Sequence, residues 1–180
     1  MKIDFSYLVR LSAFCIAVLA SGNGRAEGTI ISDTSVTFHV QVVSAACNIL
    51  GDDKNIIVEM GETSTRELQT QQYGRWRSFN LNLSECNTDT FQNVSVQFLG
   101  TEETRLPGRL ALDSSSGAKG VALGIYYGNN MLAINSASDW LPLTIGGNTI
   151  PFLARIEKIA DHALQPGDYT ATTHFKFSYL

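Results

Sequence analysis

The chain has 180 residues, with 13 basic and 17 acidic side chains, a net charge of −4 and 44% hydrophobic residues. That length suits one domain with a sizeable core. An acidic balance without a basic cluster argues against nucleic acid and against anionic membrane surfaces as partners.

In chain order, Lys2 and Arg10 flank a short charged start, and Leu11 to Ala20 is an apolar run. Its length suits a signal peptide and is too short to span a bilayer as a helix. No second apolar run is long enough for a span. Two cleavage sites fit the small-x-small rule, after Ala20 and after Ala26, and the second is preferred. Cys15 is not read as a lipid anchor, because Phe14 precedes it where a small residue is needed. Cleavage after Ala26 removes Lys2, Arg10, Arg25 and Asp4. It leaves 154 residues with ten basic and sixteen acidic side chains, a net charge of −6. Cys47 and Cys86 remain, and two cysteines in an oxidising compartment read as one disulfide. In the loop-entropy model a bridge over this spacing stabilises by about 4 kcal/mol. Metal binding by two cysteines alone is not expected, and there is no Cys-x-x-Cys redox pair.

Thr29 to Val43 alternates with period two. Its even positions include Thr34, Val36, Phe38, Val40 and Val42, and its odd positions include Asp33, Thr37, His39 and Gln41. That pattern predicts a β-strand with one buried face. The strand starts close to the expected mature N-terminus, where chains fray, and no turn signal ties it to the next segment. Its expected partner is another molecule. The periodicity alone also suits an ordinary first strand of the chain's own sandwich.

After Cys47, Gly51-Asp52-Asp53-Lys54 reads as a turn and Asn55 to Met60 as a strand ending at Gly61. Glu62 to Gly74 is polar without a strong period, a loop or a short helical turn. Arg77 to Cys86 alternates, with Phe79, Leu81 and Leu83 on one face. Val94, Val96 and Phe98 do the same. Leu110 and Leu112 precede a Ser114–Gly117 loop, and Val121 to Tyr127 is a strand followed by a Gly128-Asn129-Asn130 hairpin signal. Gly146-Gly147-Asn148 is another turn, Ile150 to Ile159 another strand, and Pro166-Gly167-Asp168 leads into a last strand from Tyr169 to Leu180. Short strands at this spacing, with turn chemistry between them, predict a β-sandwich.

Catalytic chemistry is not legible. His39, His162 and His174 sit on separate segments and read as solvated surface. No nucleophile triad, GxGxxG or P-loop is present. Asp52-Asp53 and Glu102-Glu103 read as solvated turns rather than calcium ligands. Asn93-Val94-Ser95 is a glycosylation sequon by pattern only and overlaps a strand. Trp76 and Trp140 are read as core or loop anchors ahead of a carbohydrate surface.

Several stretches resemble, in order, a chaperone–usher fimbrial subunit of the type 1 pilin family. They are Val36-Thr37-Phe38, Val42 to Cys47, Val58-Glu59-Met60-Gly61, Phe79 to Cys86, Val96 to Thr101 and Asn148 to Arg155. Tyr179 is penultimate and Gly167 is fourteenth from the end, as in that family. The resemblance implies an all-β, incomplete immunoglobulin-like β-sandwich of six strands, with the seventh supplied in trans. It implies a signal peptide over 1–26, a donor-strand extension over 27–43 and a pilin domain over 44–180. Thr34, Val36, Phe38, Val40 and Val42 would form the donor stripe. Gly167, Phe175, Phe177 and Tyr179 would form the acceptor edge and the terminus read by the chaperone. The implied partners are other fimbrial subunits, a periplasmic chaperone and an outer-membrane usher, with export through the periplasm to an extracellular fimbrium. Neither an enzymatic activity nor a cofactor is implied. Val40 departs from the pattern, because family extensions commonly place glycine seven residues before the first cysteine. The resemblance and the length of the chain make a structural subunit the expected function. The rival is a small minor subunit with its own adhesive surface. A hydrolase on a β-sandwich has no catalytic set behind it.

Overall fold

The computed structural model describes residues 46–49 and 51–180. Their strands are β1 (Asn48–Ile49), β2 (Arg77–Cys86), β3 (Asn93–Leu99), β4 (Val121–Tyr127), β5 (Asn130–Met131), β6 (Leu141–Pro142), β7 (Gly146–Lys158) and β8 (His174–Tyr179). They form a five-stranded sheet, β1-β2-β7-β4-β5, and a three-stranded sheet, β6-β3-β8. All of the strand pairings within these sheets are antiparallel.

The period-two pattern of each strand decides what faces inward. Leu81 and Leu83 of β2, Ile125 of β4 and Ile150, Phe152 and Ala154 of β7 are buried in one cluster with Val94, Val96 and Phe98 of β3. Phe98 meets Phe152 edge to face, with ring centroids 5.2 Å apart, so the two sheets close on each other through aromatic contact. Each such buried side chain contributes about 1.5–3 kcal/mol relative to exposure. Turn chemistry holds where expected: Gly128 takes φ +57° in the two-residue link that pairs Tyr127 with Asn130.

The Cys47–Cys86 disulfide forms, and beside it the Asn87 N–H donates to the Ala46 carbonyl at 2.8 Å. The polar stretch after Gly61 holds a single helix, α1 (Thr65–Gln71). Ser64 caps it by accepting from the Glu67 N–H at 3.1 Å. It ends at Gln72 in the left-handed region, and Leu68 anchors its buried side against Val121 and Ile156.

The expected all-β sandwich stands, with five longer strands and three two-residue ones among the described residues. Three other expectations need correction. Asn55–Met60 is not a strand with a ladder: it pairs with no described residue, although Ile56, Val58 and Met60 are half-buried in alternation. Alternation reports which face is covered, not whether the backbone edge is paired. The Gly146-Gly147 turn lies inside β7, and the chain reverses just before it, where the Asn148 side chain bonds both the N–H and the C=O of Thr144. Finally, Tyr169 to Thr173 is diverted from β8. Thr170 bonds the Ser116 hydroxyl and the Asp113 N–H, and Thr172 donates twice to the Asp113 carboxylate. The Thr172 hydroxyl bond is the main reason that the Asp113 carboxyl sits below its ordinary pKa.

Candidate functional site

β8 is paired on one side only. Its partner is β3, from Val94 opposite Tyr179 to Leu99 opposite His174, and its other edge meets no described strand. An open edge is a row of N–H and C=O groups available to another chain. Its side chains alternate strictly: His174, Lys176 and Ser178 are exposed, while Phe175, Phe177 and Tyr179 are half-buried against the main core. The three rings form a row, 5.5 Å from Phe175 to Phe177 and 6.5 Å from Phe177 to Tyr179. Burial raises the pKa of the Tyr179 hydroxyl above its ordinary value, as expected for a ring lying mostly in apolar surroundings.

A second stretch shares this condition. Ile56 and Met60 of the unpaired Asn55–Met60 segment rest on the same core cluster as the β8 rings, while Ile57 turns outward at 84% exposure. Two extended stretches thus each cover the core incompletely, and each leaves backbone groups without a ladder among the described residues.

Of the predicted site residues, Phe175, Phe177 and Tyr179 come together on β8, and Cys47 and Cys86 are joined. Gly167 lies before β8, where the chain crosses the Ser114–Gly117 loop. A Cβ there would stand 2.7 Å from the carbonyl carbon of Gly117 and 2.8 Å from the Ala118 nitrogen. Only a glycine allows two backbones to approach so closely. Gly167→Ala is expected to cost about 1–3 kcal/mol, as a forced backbone shift does, read as a lowered unfolding midpoint. The donor stripe Thr34, Val36, Phe38, Val40 and Val42, and the boundaries at 26 and 43, lie outside the described residues.

The outer face of the five-stranded sheet carries a network that sequence reasoning missed. Glu157 of β7 is 6% exposed. It accepts from Arg109 Nε at 2.8 Å, from Arg155 Nε at 2.8 Å and from the Tyr126 hydroxyl. Burial works against its charge, but these hydrogen bonds outweigh it and the carboxyl sits below its ordinary pKa. The Arg155 guanidinium lies over Tyr73 and over Trp76, 4.2 Å from each ring centroid. Gly124 leaves the room: a Cβ there would meet the Tyr126 ring and the Glu157 carboxylate at 2.8 and 2.9 Å. Trp76 and Trp140 are not core anchors, being 43% and 47% exposed, although Trp76 does pack edge-on to Tyr126. His174 is exposed, whereas His162 is half-buried against Arg105 rather than freely solvated. Among the described residues no three His, Cys, Asp or Glu side chains cluster as metal ligands, and no helix is long and apolar enough to cross a membrane.

Comparison with known proteins agrees with this architecture. The family model described as "Fimbrial protein" matches residues 36–180. The chain is 33% identical to the type 1 fimbrial subunit of Klebsiella pneumoniae, over 99% of this chain and 100% of that protein. It is 32% identical to the type 1 fimbrial protein A chain of Escherichia coli K12, again over 99% and 100%. Among solved structures, the P pilus rod subunit PapA superposes with a TM-score of 0.67 at 18% identity, covering 76% of this chain and 100% of that one. That likeness shows the immunoglobulin-like β-sandwich of a pilin. The relatives are structural pilin subunits, not enzymes. Matched by the family model over residues 36–180 and by relatives over nearly its whole length, the chain belongs to the fimbrial protein family of chaperone–usher pilin subunits.

Proposed function

We propose that the chain is a structural subunit of a chaperone–usher fimbria that polymerises by donor-strand exchange and supports cell adhesion. The observation that carries this reading is the open edge of β8, with Phe175, Phe177 and Tyr179 half-buried beneath it. An incoming extended strand lies between β8 and Asn55–Met60. It pairs with the free backbone groups and covers the apolar row, which is β-augmentation between chains. The donor is the Thr34, Val36, Phe38, Val40 and Val42 stripe of a neighbouring subunit. Before assembly a periplasmic chaperone covers the same groove, and Gly167, Phe175, Phe177 and Tyr179 belong to the region it engages. Exchange occurs at the outer-membrane usher, after export through the periplasm with loss of residues 1–26. The product is an extracellular fimbrium.

The test uses the full chain in complex with its periplasmic chaperone. A synthetic peptide spanning residues 27–43 is added, and native mass spectrometry follows the species with time. Loss of chaperone with growth of a subunit–peptide species is the expected result. A chain recovered as a chaperone-free monomer that ignores the peptide overturns the reading.

A further inference from the structure

Arg77 opens β2 with the same parity as Phe79, Leu81 and Leu83, whose side chains face the core. A cation on a core-facing stripe needs a partner. Arg77 finds one in Met60: its Nε donates to the Met60 carbonyl at 2.8 Å. Among the described residues this is the hydrogen bond that ties Asn55–Met60 to the sheets. The next residue, Gly61, has φ +66°, and a Cβ there would collide with Arg77 Nη2. The positive charge of Arg77 also acts on the Tyr169 hydroxyl, which is buried and has no hydrogen-bond partner among the described residues.

We infer that Arg77 is a positioning residue for strand exchange: its guanidinium clips the end of Asn55–Met60 and holds that stretch as a fixed groove wall before a donor arrives. This rests on the donor-strand reading. The chemistry suits the task. A wall held by one side chain at its last carbonyl keeps the others free, and Ile56 and Met60 keep it seated on the core. Pre-positioning lowers the ordering cost that insertion must meet.

The test compares peptide uptake by full-length chaperone complexes, using the peptide of residues 27–43. Arg77→Met keeps length and apolar bulk but removes the donor. Arg77→Gln places an amide nitrogen as many bonds from Cα as the arginine Nε. Uptake is expected to slow about tenfold in Arg77→Met, equivalent to about 1.4 kcal/mol, and to stay within about twofold of wild type in Arg77→Gln. Arg77→Met at the wild-type rate, or Arg77→Gln as slow as Arg77→Met, overturns the clip. Should Arg77→Met not be recovered folded, Gly61→Ala disturbs the same contact from the wall's side and should slow uptake; a wild-type rate there overturns the clip. Wild-type protein that takes up no peptide instead refutes the donor-strand reading, and the clip with it.

Discussion

Phe38→Asp is expected to leave chaperone binding intact and to abolish fibre formation. Phe38 is the central residue of the proposed donor stripe, between Val36 and Val40 in the even-numbered pattern. Burying those three side chains is worth roughly 5–9 kcal/mol as an upper figure, before the cost of ordering the extension. The substitution removes the largest share and adds a carboxylate that must be desolvated among Phe175, Phe177 and Tyr179. An unpaired buried charge costs several kcal/mol, so the sum turns against insertion. His39→Asp is the control, because the proposed register puts the odd-numbered positions on the polar face of the donor. Electron microscopy of surface fibres reads the outcome, with native mass spectrometry of peptide uptake beside it. Wild-type fibre yield from Phe38→Asp would rule out this register of the stripe.

Glu157→Ala is expected to destabilise the domain by about 3–5 kcal/mol, the usual cost of leaving a buried ion pair without one member. Two guanidiniums, Arg109 and Arg155, lose their shared carboxylate at once. Denaturant unfolding of the peptide-filled subunit measures the loss. The same group sets a pH dependence. The folded pKa of Glu157 lies below its ordinary value. Its stabilisation is therefore fully present above the unfolded pKa and is lost as pH falls through the folded one. Glu157→Gln should flatten that acid limb of the stability profile. A wild-type acid profile in Glu157→Gln would assign the limb to other carboxyls, Asp113 first among them.

Much of the sandwich is legible in the chain because its buried faces are written with period two. Leu81 and Leu83, Val94, Val96 and Phe98, and the rings of β8 all fall where alternation places them. The disulfide follows from cysteine number and compartment alone. What periodicity cannot carry is pairing. Asn55–Met60 and β8 alternate equally well, yet one has no ladder among the described residues and the other has half of one. Nor can it carry contacts between distant polar residues. Arg109, Tyr126, Arg155 and Glu157 come from a loop and two strands, and nothing local marks them as a set. Arg77 offered the one faint signal, a charge on the parity of Phe79 and Leu81. Gly167 entered through family resemblance, and its physical reason, the crossing with Gly117, appears only in three dimensions.

The Cys47–Cys86 bond has a mechanical meaning. β1, just beyond Cys47, is held to β2 by only two register pairs, which a pull could peel apart one after the other. The covalent bridge bypasses that weak attachment and hands tension from Cys47 to the end of β2. β2 shares eight register pairs with β7, the longest strand of the domain. A force arriving at Cys47 is thus passed to the strand pairing with the most register pairs among those described. In a fibre whose links enter each subunit by that route, shear strength would depend on oxidation: with the bridge reduced, the same load would first strip β1 from the sheet.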